Sequence, residues 1–258
     1  MHDFPFPNNS QDLTGQVAFV TGATSGLGWH FSRVLASAGA KVAIAGRRKD
    51  RLAELEALIK QDGGECASFI LDMTDADAIV SVVADIEQHL GLVTILVNNA
   101  GIPDAQLATK MDIELIDRVL DTNVRGPFIL SREVAKRLIA DKKPGRIINI
   151  ASMAAYQYDG NGAALYSVSK AAIARMTEAL SVEWAKFNIN VNAIAPGVFA
   201  SEMVDGMQAR MGDLAGYFPR KRIGSPSQLD STLLFLSSPA SECVTGTIVK
   251  VDDGQSNK

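Results

Sequence analysis

Seven short apolar runs, at 17–20, 42–44, 67–71, 93–97, 147–150, 189–194 and 247–251, recur along the chain with helix-patterned segments between most of them. Runs rich in Val and Ile that lack a polar alternation belong to strands covered on both faces, and their alternation with helices predicts an α/β fold built on a parallel sheet. In 51–60, Leu52, Leu55 and Ile59 share one helical face while Glu54 and Lys60 point to water, and 75–89 behaves similarly. Longer helical patterns cover 112–140, with Gly126-Pro127 as a bend, and 164–187, where Ala171, Ala172 and Ala174 permit close packing. Helices of this length are suited to subunit contacts.

With 258 residues, 47% of them hydrophobic and 21% charged, the chain fills one α/β domain. Residues 1–14 hold two prolines among polar groups and are expected to form a flexible arm before a domain at 15–258. The stretch at about 197–224 mixes Gly, Pro, Met and aromatics without a sustained period, and is expected to be an insertion near the active site. A net charge of -4 without a basic stripe argues against a nucleic-acid partner. No apolar run approaches the ~18 residues of a membrane span, and no basic-then-apolar leader opens the chain. Cys66 and Cys243 stand far apart, which predicts free thiols and a cytoplasmic location. Three histidines and two cysteines, none in ligand spacing, predict no metal site.

The first apolar run leads directly into Thr21-Gly22-Ala23-Thr24-Ser25-Gly26-Leu27-Gly28, followed by a helical pattern. Glycines there let the backbone approach a pyrophosphate while the helix N-terminus supplies N–H donors, so Gly22, Thr24, Ser25, Gly26, Leu27 and Gly28 are candidate dinucleotide contacts. Trp29 and His30, unusually bulky just after the last glycine, are read as packing residues. The second run ends Ala45-Gly46-Arg47-Arg48. An acid at this point would accept hydrogen bonds from a ribose 2′-hydroxyl, whereas arginine forms charge-assisted contacts with a 2′-phosphate, so Arg47 and Arg48 favour NADP(H). Asp72 and Met73, beyond the third run, are placed on the adenine side.

Tyr166 and Lys170 are four residues apart in a helical segment and share a face. A nearby ammonium and an oxidised nicotinamide ring would favour the phenolate of a tyrosine otherwise near pKa 10. Ser152, immediately beyond the fifth apolar run, can hydrogen-bond the same substrate oxygen.

At these residues the chain resembles the short-chain dehydrogenase/reductase family, including its 3-oxoacyl-carrier-protein reductases. The resemblance rests on 21–28, Asn98-Asn99-Ala100-Gly101, Asn123, Ser152, Tyr166-Ser167-Val168-Ser169-Lys170 and Pro196-Gly197, in family order. It implies a single-domain Rossmann-type doubly wound fold with a seven-stranded parallel sheet, a catalytic set of Asn123, Ser152, Tyr166 and Lys170, and a homotetramer or homodimer. It also implies that Asn123 helps hold a water on a proton path to Lys170, and that Lys170 binds the nicotinamide ribose. By the same resemblance Asn99, Ala100 and Gly101 line the cofactor side, Pro196 and Gly197 flank the nicotinamide, and the Val198 backbone contacts its carboxamide. Ser25 stands where NADP-using relatives often carry a base, and Asp253 replaces a glycine at an expected subunit contact. Ile129 and Phe187 occupy positions where carrier-protein reductases present surface bases, which argues against such docking.

The expected activity is therefore hydride transfer between NADP(H) and a carbonyl or secondary alcohol, above all NADPH-dependent ketone reduction. An NAD-dependent alcohol or hydroxysteroid dehydrogenase would have an acid at Gly46, and a catalytically silent scaffold would have lost Ser152, Tyr166 or Lys170. Tyr156 and Tyr158, soon after Ser152, are candidate substrate residues that favour a cyclic or aromatic small-molecule ketone. Met203 and Met207 are candidates for an adaptable apolar lid.

Overall fold

In the computed structural model, residues 8–158, 160 and 162–256 are described. Seven strands, β1 (Val17–Thr21), β2 (Lys41–Gly46), β3 (Cys66–Ile70), β4 (Ile95–Asn98), β5 (Gly145–Ile150), β6 (Ile189–Pro196) and β7 (Ile248–Val251), form one sheet in the order β3-β2-β1-β4-β5-β6-β7. Every pairing is parallel. Each expected apolar run overlaps one of these strands.

Among the described residues, eight α-helices cover the faces of the sheet: α1 (Gly26–Ser37), α2 (Lys49–Gln61), α3 (Ala76–His89), α4 (Ile113–Leu120), α5 (Gly126–Ala140), α6 (Ala164–Trp184), α7 (Glu202–Met211) and α8 (Asp230–Ser237). Successive strand side chains point to opposite faces, so neighbours in one strand serve different cores. Phe19 joins the layer under α3, α5 and α6 with Ile79, Val83, Val134, Leu138 and Leu180. Ala18 and Val20 join the other, where Phe31 and Leu35 of α1, Leu55 and Ile59 of α2 and Leu233 of α8 close over the sheet. The sheet order reverses between β1 and β4. Their connections leave toward opposite faces, which opens a crevice at the carboxyl ends of these strands.

Two expectations about local structure need correction, and a third gains detail. The bend expected at Gly126-Pro127 is a π-turn over Asp121–Arg125, closed by a Gly126 N–H to Asp121 carbonyl bond, and it joins α4 to α5. Pro127 explains the widening: it has no N–H for the Asn123 carbonyl and its ring crowds that carbonyl in a regular helix. Of the expected flexible arm, residues 1–7 lie outside the described residues, and its end is anchored. Leu13 is fully buried and its N–H bonds the Ala38 carbonyl at 2.8 Å. The 197–224 segment contains α7, capped by the Ser201 hydroxyl on the Val204 N–H, and its ends meet where Phe199 pairs with Gly224.

Candidate active site

A cleft of about 500 Å³ occupies the crevice beyond β1 and β4. Its floor is the turn between β1 and α1, where Thr21, Gly22, Thr24, Ser25, Gly26 and Leu27 line the cavity. Gly28 lies beneath them. A Cβ there would stand 2.4 Å from both the Gly22 carbonyl oxygen and Asn99 Nδ2, so its role is to let α1 pack against the turn. Asn99 holds that turn from the β4 side, its amide donating to the carbonyls of Thr21 at 3.0 Å and Gly22 at 3.2 Å.

At one end of the cleft stand Arg47 and Arg48, with Asp72 and Met73 across from them. Arg47 is two-thirds exposed, its guanidinium 3.9 Å from the Asp72 carboxylate. Arg48 is more constrained: Nε donates to Thr24 Oγ1 at 3.1 Å, and Nη1 reaches the Glu202 carboxylate of α7 at 3.1 Å. A Cβ on Gly46 would sit 2.6 Å from Thr24 Cγ2, which leaves no room for the acid that reads a 2′-hydroxyl unless Thr24 moves. The two bulky residues after the glycines do pack. Trp29 lies under the Arg51 guanidinium at 4.4 Å, and His30 Nε2 meets Asp230 at 2.7 Å.

At the other end Ser152, Tyr166 and Lys170 line the same cavity, beside Ala100, Gly101 and Ile102. Ser152 follows β5, and its hydroxyl accepts the Ala154 N–H at 3.1 Å, starting a short 3₁₀ turn. Tyr166 and Lys170 project from the first turns of α6. Lys170 Nζ lies 5.6 Å from the Tyr166 ring centre and donates to the Ile150 carbonyl at 2.7 Å. Burial lowers the Lys170 pKa to about 8. Within the chain itself, the groups around the Tyr166 hydroxyl act in opposite directions and the upward one prevails. Burial holds it above the ordinary tyrosine range, with the Asp104 charge acting the same way, against a hydrogen bond with Ser152 that favours the phenolate. The ammonium is turned toward a carbonyl rather than the phenol, so desolvation dominates.

Asn123 is buried in the π-turn behind this group and does not line the cavity. Its side chain exchanges hydrogen bonds with the Ile102 backbone, at 2.8 and 2.9 Å, and donates to Ser169 Oγ at 3.1 Å. The amide is thereby committed to shaping the site. Pro127 has no N–H and so cannot supply the α-helical donor to the Asn123 carbonyl. Asp104 is a site residue that the sequence reading misses. Its carboxylate accepts the N–H groups of Leu165 and Tyr166 at 2.8 and 3.1 Å, capping α6, whose own cap position is Ala163.

Pro196 and Gly197 line the third wall, followed by Phe199, Ser201, Glu202, Met203 and Val204. Val198 does not. Its N–H donates to Gln255 Oε1 at 2.6 Å and its carbonyl accepts from Gln255 Nε2 at 3.1 Å, so both backbone groups of this expected carboxamide contact already have partners within the chain. The aromatic substrate residues are also displaced. Neither lines the cavity: Tyr156 lies under Lys250 Nζ at 4.0 Å and Tyr158 is half-exposed. Met203 reaches the cavity and Met207, one turn further along α7, does not.

A family model for short chain dehydrogenase matches residues 16–212. The chain is 36% identical over 251 residues to the 2-dehydro-3-deoxy-D-gluconate 5-dehydrogenase of Dickeya dadantii (strain 3937), covering 95% of this chain and 97% of that protein. It is 35% identical to the 3-oxoacyl-[acyl-carrier-protein] reductase of Synechocystis sp. over 94% of this chain and 97% of that one. Among solved structures, a Phe-to-Trp variant of actinorhodin polyketide ketoreductase with NADPH superposes with a TM-score of 0.90 at 30% identity, covering 94% of this chain and 98% of that chain.

Proposed function

The chain belongs to the short-chain dehydrogenase family, and from that footing we propose that it is an NADPH-dependent reductase of a ketone to a secondary alcohol. The observation that carries this reading is the meeting, in one cleft, of Arg47 and Arg48 at one end with Ser152, Tyr166 and Lys170 at the other. The residues fit the cofactor: a glycine turn opening a helix for the pyrophosphate, two guanidinium groups for a 2′-phosphate, and a crowded Gly46 with no acid. NADPH in the related ketoreductase supports the same choice.

Bound nicotinamide dinucleotide supplies the hydride. Tyr166 gives its hydroxyl proton to the substrate oxygen as charge develops there, and Ser152 donates a hydrogen bond to the same oxygen. Lys170 presents a positive charge behind the tyrosine, and the main-chain carbonyl of Asn123 is the group through which a water would resupply protons. In the reverse direction Tyr166 accepts the proton.

Ile102, Phe199, Met203 and Val204 give the cleft an apolar wall, which favours a cyclic or aromatic ketone over a polar sugar. Assembly as a homotetramer is supported by apolar side chains left in solvent on α5 and α6, among them Phe128, Val168 and Val182. Unpaired Cys66 and Cys243 suit the cytoplasm, and among the described residues no helix is long and apolar enough to cross a membrane.

Purified protein is tested by nicotinamide absorbance with NADPH and NADH against cyclic, aromatic, 3-oxoacyl and sugar-acid substrates, beside Tyr166→Phe. NADPH oxidation that falls by about a hundredfold or more in Tyr166→Phe is the expected result. A preference for NADH, or cofactor binding with no turnover on any substrate, overturns the proposal.

A further inference from the structure

The two ends of the segment between β6 and α8 converge on one short turn at the carboxyl end of β7. At the near end, the Gln255 side chain brackets Val198, accepting its N–H at 2.6 Å and donating to its carbonyl at 3.1 Å. At the far end, Asp253 receives Arg222 Nε at 2.6 Å and Arg222 Nη2 at 2.9 Å, a two-pronged contact, and Arg220 Nη1 at 2.8 Å. The two ends are themselves tied. The Gly224 N–H bonds the Val198 carbonyl at 3.0 Å and the Ala200 N–H bonds the Gly224 carbonyl at 2.9 Å.

Asp253 stands at φ +53°, in the left-handed region that suits glycine. An L side chain there sacrifices backbone comfort, and what accompanies it is a carboxylate aimed at both arginines, its side chain only 13% exposed. Within the chain its carboxylate joins the turn after β7 to Arg220 and Arg222. Between the two anchored ends hangs α7, with Glu202, Met203 and Val204 on the wall of the cleft.

Resting on the proposed reading of the cleft as the site of both dinucleotide and ketone, with 199–204 in its wall, we propose that Asp253 and Gln255 are positioning residues that latch both ends of this segment and hold α7 against the bound dinucleotide. The latch acts on the geometry of the wall and touches neither hydride nor proton.

Two variants release it from opposite sides. Asp253→Gly removes the carboxylate at a backbone conformation that glycine adopts freely, and Arg222→Ala removes the main cation while leaving the terminal turn intact. Hydrogen exchange of the full-length protein without cofactor should quicken about tenfold or more in residues 199–211 of both variants, with α3 unchanged. The NADPH dissociation constant, read by nicotinamide fluorescence, should rise about fivefold or more, and kcat at saturating substrates should stay within about twofold. Unchanged exchange in 199–211, a rise spread equally over α3, or loosened exchange with unaltered NADPH affinity each overturns the latch. Failure of the wild-type protein to bind NADPH would instead count against the proposed function, leaving the exchange comparison to decide the latch alone.

Discussion

Asp104 and Tyr166 are 62 residues apart in the chain, yet the carboxylate of the first accepts the main-chain N–H of the second at 3.1 Å. A loop behind β4 thus supplies the cap that Ala163 cannot, and the tyrosine proposed to move the proton is positioned through its backbone as well as its ring.

Replacing this cap has a defined expected outcome. Asp104→Ala should cost about 1–2 kcal/mol, the range of a lost helix cap. It should also lower kcat more than it raises KM, since the first turn of α6 carries Tyr166. Thermal unfolding and steady-state kinetics measure the two effects, and an unchanged kcat would separate the cap from the site.

Lys170 offers a change whose effects on stability and activity have opposite signs. Its pKa falls from 10.5 to about 8 on folding, so between these values the unfolded chain holds more protons and stability rises with pH. Well below pH 8 the folded protein carries the full penalty of a buried charge, on the order of 3 kcal/mol. Lys170→Met should therefore raise Tm at pH 7, lose that advantage by about pH 10, and abolish turnover. Melting curves at both pH values are decisive: a lower Tm at pH 7 contradicts the assigned burial penalty.

Cofactor choice is tested at the exposed arginine. Arg47→Asp should reduce kcat/KM for NADPH by about tenfold to a hundredfold, the worth of a charge-assisted contact, and leave NADH unharmed. Equal losses with both cofactors would place the Arg47 effect in the fold of the turn.

At Gly28 the constraint is space. Ala at this position would press a methyl against the Gly22 carbonyl and Asn99, both 2.4 Å away, so about 1–3 kcal/mol of overpacking should appear with a collapse of NADPH affinity. Calorimetric titration and unfolding of Gly28→Ala read both, and wild-type affinity would show that α1 can shift without disturbing the turn.

The sheet is legible in the sequence because each strand is a short Val- and Ile-rich run, and the helices because Leu52, Leu55 and Ile59 and their like repeat at helical spacing. Arg47, Ser152, Tyr166 and Lys170 can be placed near one another since each sits at a strand end or one helical turn from another. Asp104 cannot, because its partners are amides far along the chain and a carboxylate after a strand looks like any turn former. The same holds for Gln255 and Val198. Helix α7 has a readable start, with Ser201 at the cap and Glu202 and Asp205 in the first turn, but Gly206 and the surrounding glycines obscure its period. Tyr156 is misplaced by the sequence because the direction of its side chain depends on a 3₁₀ turn that no spacing rule announces.

The π-turn at Asp121–Arg125 makes chain length itself a fixed quantity in this part of the molecule. One residue fewer would remove the slack that the wide turn takes up, while Pro127 still could not close an ordinary helical turn there, so α4 and α5 would lose their present phase. Asn123 would leave its place between Ile102 and Ser169, however well its neighbours were chosen. Here a single-codon deletion is expected to do more damage than most substitutions, and the segment is a poor place to join halves of related proteins when building chimaeras.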